Sequence, residues 1–200
     1  MIRPLSAALL ALSLIVPPTA SHAERRDSAI RESNARVSTS NALKSQSRAA
    51  LRKAAKETDQ LRAELKSAVA VAKATLKPVR GRIWCVPFAR AVTGIEIRGN
   101  ARTWWKQAAG KYERGSQPRI GAVMNFSGSR KMPMGHVAVV SNVVDSRTVL
   151  VDQANWERNR ITQDTLVVDV SAKNDWSQVR VASANGTLGR VNPVYGFIYR

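Results

Sequence analysis

The stretch Gly135-His136-Val137-Ala138-Val139-Val140-Ser141-Asn142-Val143-Val144-Asp145-Ser146-Arg147-Thr148-Val149-Leu150-Val151-Asp152-Gln153-Ala154-Asn155-Trp156 reads as two strands about a polar turn. The β-branched runs predict strands over His136 to Val144 and Thr148 to Trp156, with the chain reversing at Asp145-Ser146-Arg147. Period-two alternation places His136, Ala138 and Val140 on one face and Val137 and Val139 on the other. In the second strand Gln153 and Asn155 share a face and Asp152 lies opposite. Hairpin pairing brings these polar residues beside His136.

Outward from this hairpin the punctuation is regular. Gly121-Ala122-Val123-Met124-Asn125-Phe126 follows a Pro-containing turn and reads as a strand; Leu166 to Val170, Trp176 to Val181 and Tyr195 to Tyr199 supply later ones. Two helices precede them, about Cys85 to Val92 and about Ala101 to Ala109. Helices first and an antiparallel meander after them predict an α+β domain. All five Trp, all three Tyr and all three Phe lie at or beyond Trp84, so the folded domain begins near Val79 and runs to Arg200.

The N-terminus reads differently. Arg3, the apolar run Leu5 to Val16 and Ser21-His22-Ala23 have the order of a secretory signal with its cleavage site, which predicts a leader over 1–23. The apolar run is about 12 residues, short of the roughly 20 that span a membrane, so no transmembrane anchor is expected. Residues 24–78 lack Gly and aromatics and are rich in Ala, Ser, Lys and Arg. Up to about Ser47 they carry no apolar periodicity and read as a mobile basic arm. Leu51, Ala54, Thr58, Leu61, Leu65, Ala68 and Ala72 then mark one face of an amphipathic helix, ended by Pro78 and Gly81.

The chain carries a formal net charge of +18, which falls to +17 once the single Arg of the leader is removed, and so favours a polyanionic partner. An export signal makes the anionic polymers of a cell envelope the expected partner. It argues against nucleic acid, as does the lack of the aromatic and basic interleaving of single-strand binders.

After removal of the leader, Cys85 is the only cysteine and His136 the only histidine. A lone thiol in an exported chain has no partner for an internal disulfide. Cys85 opens a helix in Ile83-Trp84-Cys85-Val86-Pro87-Phe88-Ala89-Arg90, where the helix start favours a thiolate and Pro87 fits the first turn. The structural alternative is a small core residue between Trp84 and Phe88, and for His136 a hydrogen-bonded structural imidazole. Nucleophile and base need a third group to hold the imidazole, and Asn155, Gln153 and Asp152 are the candidates. A zinc site would be poorly supplied, and no metal or other cofactor is expected.

Cys85-Val86-Pro87-Phe88-Ala89-Arg90, Pro118 to Phe126, Gly135 to Val140, Asp152-Gln153-Ala154-Asn155-Trp156 and the closing Asn192 to Tyr199 occur in the order of a CHAP domain, and the chain from Arg82 to Arg200 resembles that family of cysteine, histidine-dependent amidohydrolases/peptidases. The resemblance implies a papain-like fold, helices packed on an antiparallel sheet of about six strands, with peptidoglycan as substrate. It implies cleavage of the N-acetylmuramoyl-L-alanine amide or of a peptide bond in the stem or cross-bridge. By position Cys85 is then the nucleophile, His136 the general base and Asn155, or else Gln153, the orienting residue. Many members carry an acidic residue near the position of Gln153, and an amide supports an imidazolium less well. Trp104 and Trp105 are candidates for lining a substrate groove, with one of the pair expected in the core. The domain expectation is a leader over 1–23, a basic arm and helix over 24–78, and the catalytic domain over 79–200, working in the periplasm or outside the cell. The competing reading is a catalytically inactive relative that binds the envelope through its basic surface.

Overall fold

The computed structural model describes residues 21–200, so the leader expected over 1–23 lies almost wholly outside the described residues. Two compact units divide at Arg52 and Lys53. From His22 to Arg52 the chain is helical and exposed, the first part of α1 (His22–Thr75). Of the two forms the sequence allows for this basic segment, helical or disordered, the structure has the helix. The stretch has no Pro or Gly to break a helix, and Ser and Thr hydroxyls bond back to carbonyls three or four residues earlier, as Ser33 does to Ile30 at 2.8 Å. A helix with no apolar face is invisible to a periodicity test.

The unit from Lys53 onward holds the remainder of α1 and everything after it. The expected apolar stripe is buried only in its last part, at Leu65 and Ala72, with Val69 added. Leu51 and Leu61 are exposed, and the buried face is Leu65, Val69 and Ala72. These pack with Phe88, Ala89, Trp104, Val123, Val137, Val139 and Ile198 into one core. Burying Leu65 and Val69 contributes about 1.5–3 kcal/mol each. Lys66 adds a polar tie, its Nζ donating to Asp164 Oδ2 at 2.6 Å and lying 3.7 Å from Asp152 Oδ1.

The other helices are α2 (Cys85–Thr93) and, after a 3-10 turn over Ala101–Thr103, α3 (Trp104–Ala108). The strands are β1 (Arg114–Gly115), β2 (Val123–Phe126), β3 (His136–Asp145), β4 (Thr148–Ala154), β5 (Ile161–Asp169), β6 (Gln178–Ala182) and β7 (Leu188–Ile198). The sheet is antiparallel, in the order β1-β7-β2-β3-β4-β5-β6, and β6 pairs again with β7. The α+β expectation holds, but the sheet has seven strands and closes into a barrel. Closure depends on β7, whose first half pairs with β6 and second half with β2. The sequence pattern predicts only its last part, from Tyr195, because Pro193 and the polar run before it mask the rest.

A second core fills the barrel, with Met124, Phe126, Ala138, Val140, Val151, Val167, Val181, Phe197 and Trp176 packed together. The two cores take alternate residues of β3, and this alternation sends His136 to the barrel side with Ala138 and Val140.

Candidate active site

Cys85 is the first residue of α2, with Trp84 at the cap in extended conformation and no side-chain cap. An open first turn leaves backbone N–H groups free to face a ligand. The backbone of Val137, next to His136, and the amides of Val86 and Cys85 itself lie against the sulfur and favour its thiolate. Burial is the larger effect, however, and pushes the thiol above its ordinary value. The helix start favours the thiolate as the sequence implies, and desolvation outweighs it.

His136 is 5% exposed and opens β3. Its Nε2 lies 2.9 Å from Gln153 Oε1. A carbonyl oxygen only accepts, so Nε2 carries the proton and Nδ1 keeps its lone pair in the neutral ring. The ring is also held by edge contacts, 5.5 Å from Phe126 and 5.1 Å from Trp156 between centroids. Burial drives the imidazole pKa down to about 4, with the Gln153 bond opposing it. Cys85 and His136 are thus both neutral at rest.

The candidates for the third position separate in the structure. β4 carries Gln153 on the face of Val149 and Val151, toward the barrel and His136. Asn155 was the first expectation. It has left the strand: its φ is +62°, and its Oδ1 accepts from the Asn159 amide at 2.8 Å. Asn tolerates this left-handed geometry better than most residues, and it ends β4 two residues before the expected Trp156. Asp152 points away from His136, its Oδ1 accepting the Asp164 amide at 2.8 Å with Lys66 beside it. Only Gln153 therefore bonds the imidazole.

Cys85, His136, Asn155 and Trp156 line one cavity of about 940 Å³, together with Trp84, Met132, Met134 and residues of β6 and β7. Neither Trp104 nor Trp105 lines it. Trp104 is fully buried in the helix-side core. Trp105 stacks on Tyr195 at 6.1 Å and carries the Arg114 guanidinium at 4.9 Å. The tryptophans at the cavity are Trp84, 41% exposed, and Trp156. Its cationic lining residues, Lys131 and Arg190, were also missed by sequence, because each sits in a short polar segment with no periodic signal. No cluster of three or more His, Cys, Asp or Glu able to hold a metal occurs among the described residues.

The thiol at the start of α2 and the amide-held imidazole both come from chain before β5, while β6 and β7 complete the cavity wall. Residues 77–155 match the CHAP domain. The family that the motifs resemble is thus the family found, and the match spans Cys85, His136 and Gln153 while leaving all of β5 to β7 beyond its end. CHAP domains belong to amidases and peptidases of peptidoglycan. No curated protein matches the chain. No helix among the described residues is long and apolar enough to cross a membrane.

The Gln153 bond gives a pH test with a definite sign. The base form of His136 is lost as pH falls through its pKa of about 4, so the acid limb of kcat/KM is expected there. Folding stability also falls as pH drops from about 6.5 toward 4, because the unfolded chain takes up the proton first. Gln153→Glu places a carboxylate on the ring and raises its pKa by about 1–3 units. The acid limb should move up by that amount, as read from pH–rate profiles, and an unmoved limb would count against Gln153 as the orienting group.

Proposed function

We propose that the chain is an exported cysteine hydrolase of peptidoglycan. It cleaves an amide, either the N-acetylmuramoyl-L-alanine bond or a peptide bond of the stem or cross-bridge. The observation that carries this reading is the His136 Nε2 to Gln153 Oε1 bond, which leaves Nδ1 as a base in the cavity that Cys85 lines. The order of parts, with cysteine on a helix start, histidine on a strand and an amide behind it, supports a papain-like arrangement.

The chemistry is acyl transfer. On attack the Cys85 proton passes to His136 Nδ1, and the sulfur bonds the substrate carbonyl carbon. Because both groups are neutral at rest, charge develops only as the transition state forms. The Cys85 and Val86 amides at the start of α2, which lie against the resting sulfur, favour the oxyanion as it forms. The imidazolium donates its proton to the leaving amine, and water, deprotonated by His136, then releases the acyl group and restores the thiol. The amide dipole of Gln153 keeps the ring in one tautomer throughout.

The leader over 1–23 delivers the chain to the periplasm or the exterior, and the boundary between basic helix and catalytic domain falls near 78 and 79. The basic residues hold the enzyme to anionic envelope polymers. A second reading, an envelope-binding protein without turnover, is favoured by one observation: burial raises the thiol and lowers the imidazole, which weakens a resting nucleophile. Turbidity of purified sacculi separates the two. The hydrolase clears the suspension, and alkylation of its one cysteine stops clearing. If alkylated and untreated protein leave equal turbidity, the binding reading stands and the hydrolase reading fails.

A further inference from the structure

The charged residues that line the cavity are Lys131 and Arg190, and no carboxylate lines it. Neither cation forms an ion pair with an acidic side chain among the described residues. Arg190 and Asn192 alternate along β7 and so share a face, and both line the cavity. Asn192 is only 2% exposed. Its Nδ2 donates to the Arg190 carbonyl at 2.9 Å, while its Oδ1 is buried without a partner. Leaving a buried acceptor unpaired costs about 1–3 kcal/mol, which a ligand N–H would recover.

We propose that the β7 side of the cavity is a subsite for a peptide bearing a free carboxylate. Asn192 Oδ1 accepts a backbone N–H of that peptide, and Lys131 and Arg190 face its carboxylate. Resting on the hydrolase reading, this makes an acidic residue of the stem the specificity element. The apolar part of the cavity, Trp84, Met132 and Met134, takes the uncharged remainder of the chain.

Binding and turnover can be tested apart. The Cys85→Ala protein is titrated with an acidic stem peptide and with the same peptide amidated at its carboxylates, following the fluorescence of the tryptophans that line the cavity. The free acid should bind about 10-fold more tightly, as a pair of cations in a cleft allows. Arg190→Gln and Lys131→Gln, both at exposed positions, should erase that preference while leaving the affinity for the amidated peptide in place. Asn192→Ala should weaken both peptides alike, and a melting curve shows whether it remains folded. Equal affinity of the Cys85→Ala protein for acid and amide overturns the subsite. Failure of the wild type to cleave a peptide that its Cys85→Ala variant binds selectively overturns the hydrolase reading instead.

Discussion

Gly135→Ala is expected to destabilise the compact unit by about 3–4 kcal/mol, lowering its melting temperature by about 10 °C. Gly135 has φ of +69°, and an added Cβ would stand 2.6 Å from the Arg102 amide nitrogen and 2.9 Å from both Arg102 Cα and the Phe126 carbonyl oxygen. All three obstacles are backbone atoms, so no side chain can swing aside. The same segment is pinned by the Arg102 amide donating to the Met134 carbonyl at 2.9 Å. Gly186 is the control: its φ is +80°, but nothing lies within 4 Å of its added Cβ. Gly186→Ala should therefore show the dihedral cost alone, about 1–2 kcal/mol. Equal melting of the two variants would mean that the strand end beside His136 is not held as the structure has it.

His136→Ala should reduce hydrolysis by about 10³-fold or more while the protein stays folded, as judged by circular dichroism. General base and general acid are then lost together, and each is worth about 10²–10⁴. The loss should not be additive with that of Cys85→Ala, because the two act as a unit. The double variant is expected to match the weaker single one. A His136→Ala protein that retained a tenth of its activity would remove the imidazole from the chemistry and leave it a packing role against Phe126 and Trp156.

The parts legible in the sequence are those with local punctuation. α2 begins at Cys85 and β3 at His136, as expected, because Pro87 and Gly135 mark the boundaries and β-branched alternation fills the strand. The closure of the barrel was not legible. It depends on β7 serving two partners, a long-range pairing with no local signal. The first part of α1 is open between helix and disorder in the sequence for the opposite reason, since it buries nothing and so shows no periodicity. At the site, the faces of β4 separated Asp152 from Gln153, but an ideal strand carried as far as Trp156 keeps Asn155 beside Gln153. One positive φ at Asn155 decides the matter, and Asn is the residue type that should draw attention there. The dominance of burial over the helix start at Cys85 is likewise a tertiary effect, supplied by chain far away in sequence.

The most direct test of the account is end-group analysis of peptidoglycan digested by the wild type and by Cys85→Ala. Mass spectrometry should find new amino and carboxyl ends in equal number from the wild type and none from the variant, locating the bond that is cut. New reducing sugar ends, or equal release from both proteins, would contradict amide cleavage by the Cys85 thiol.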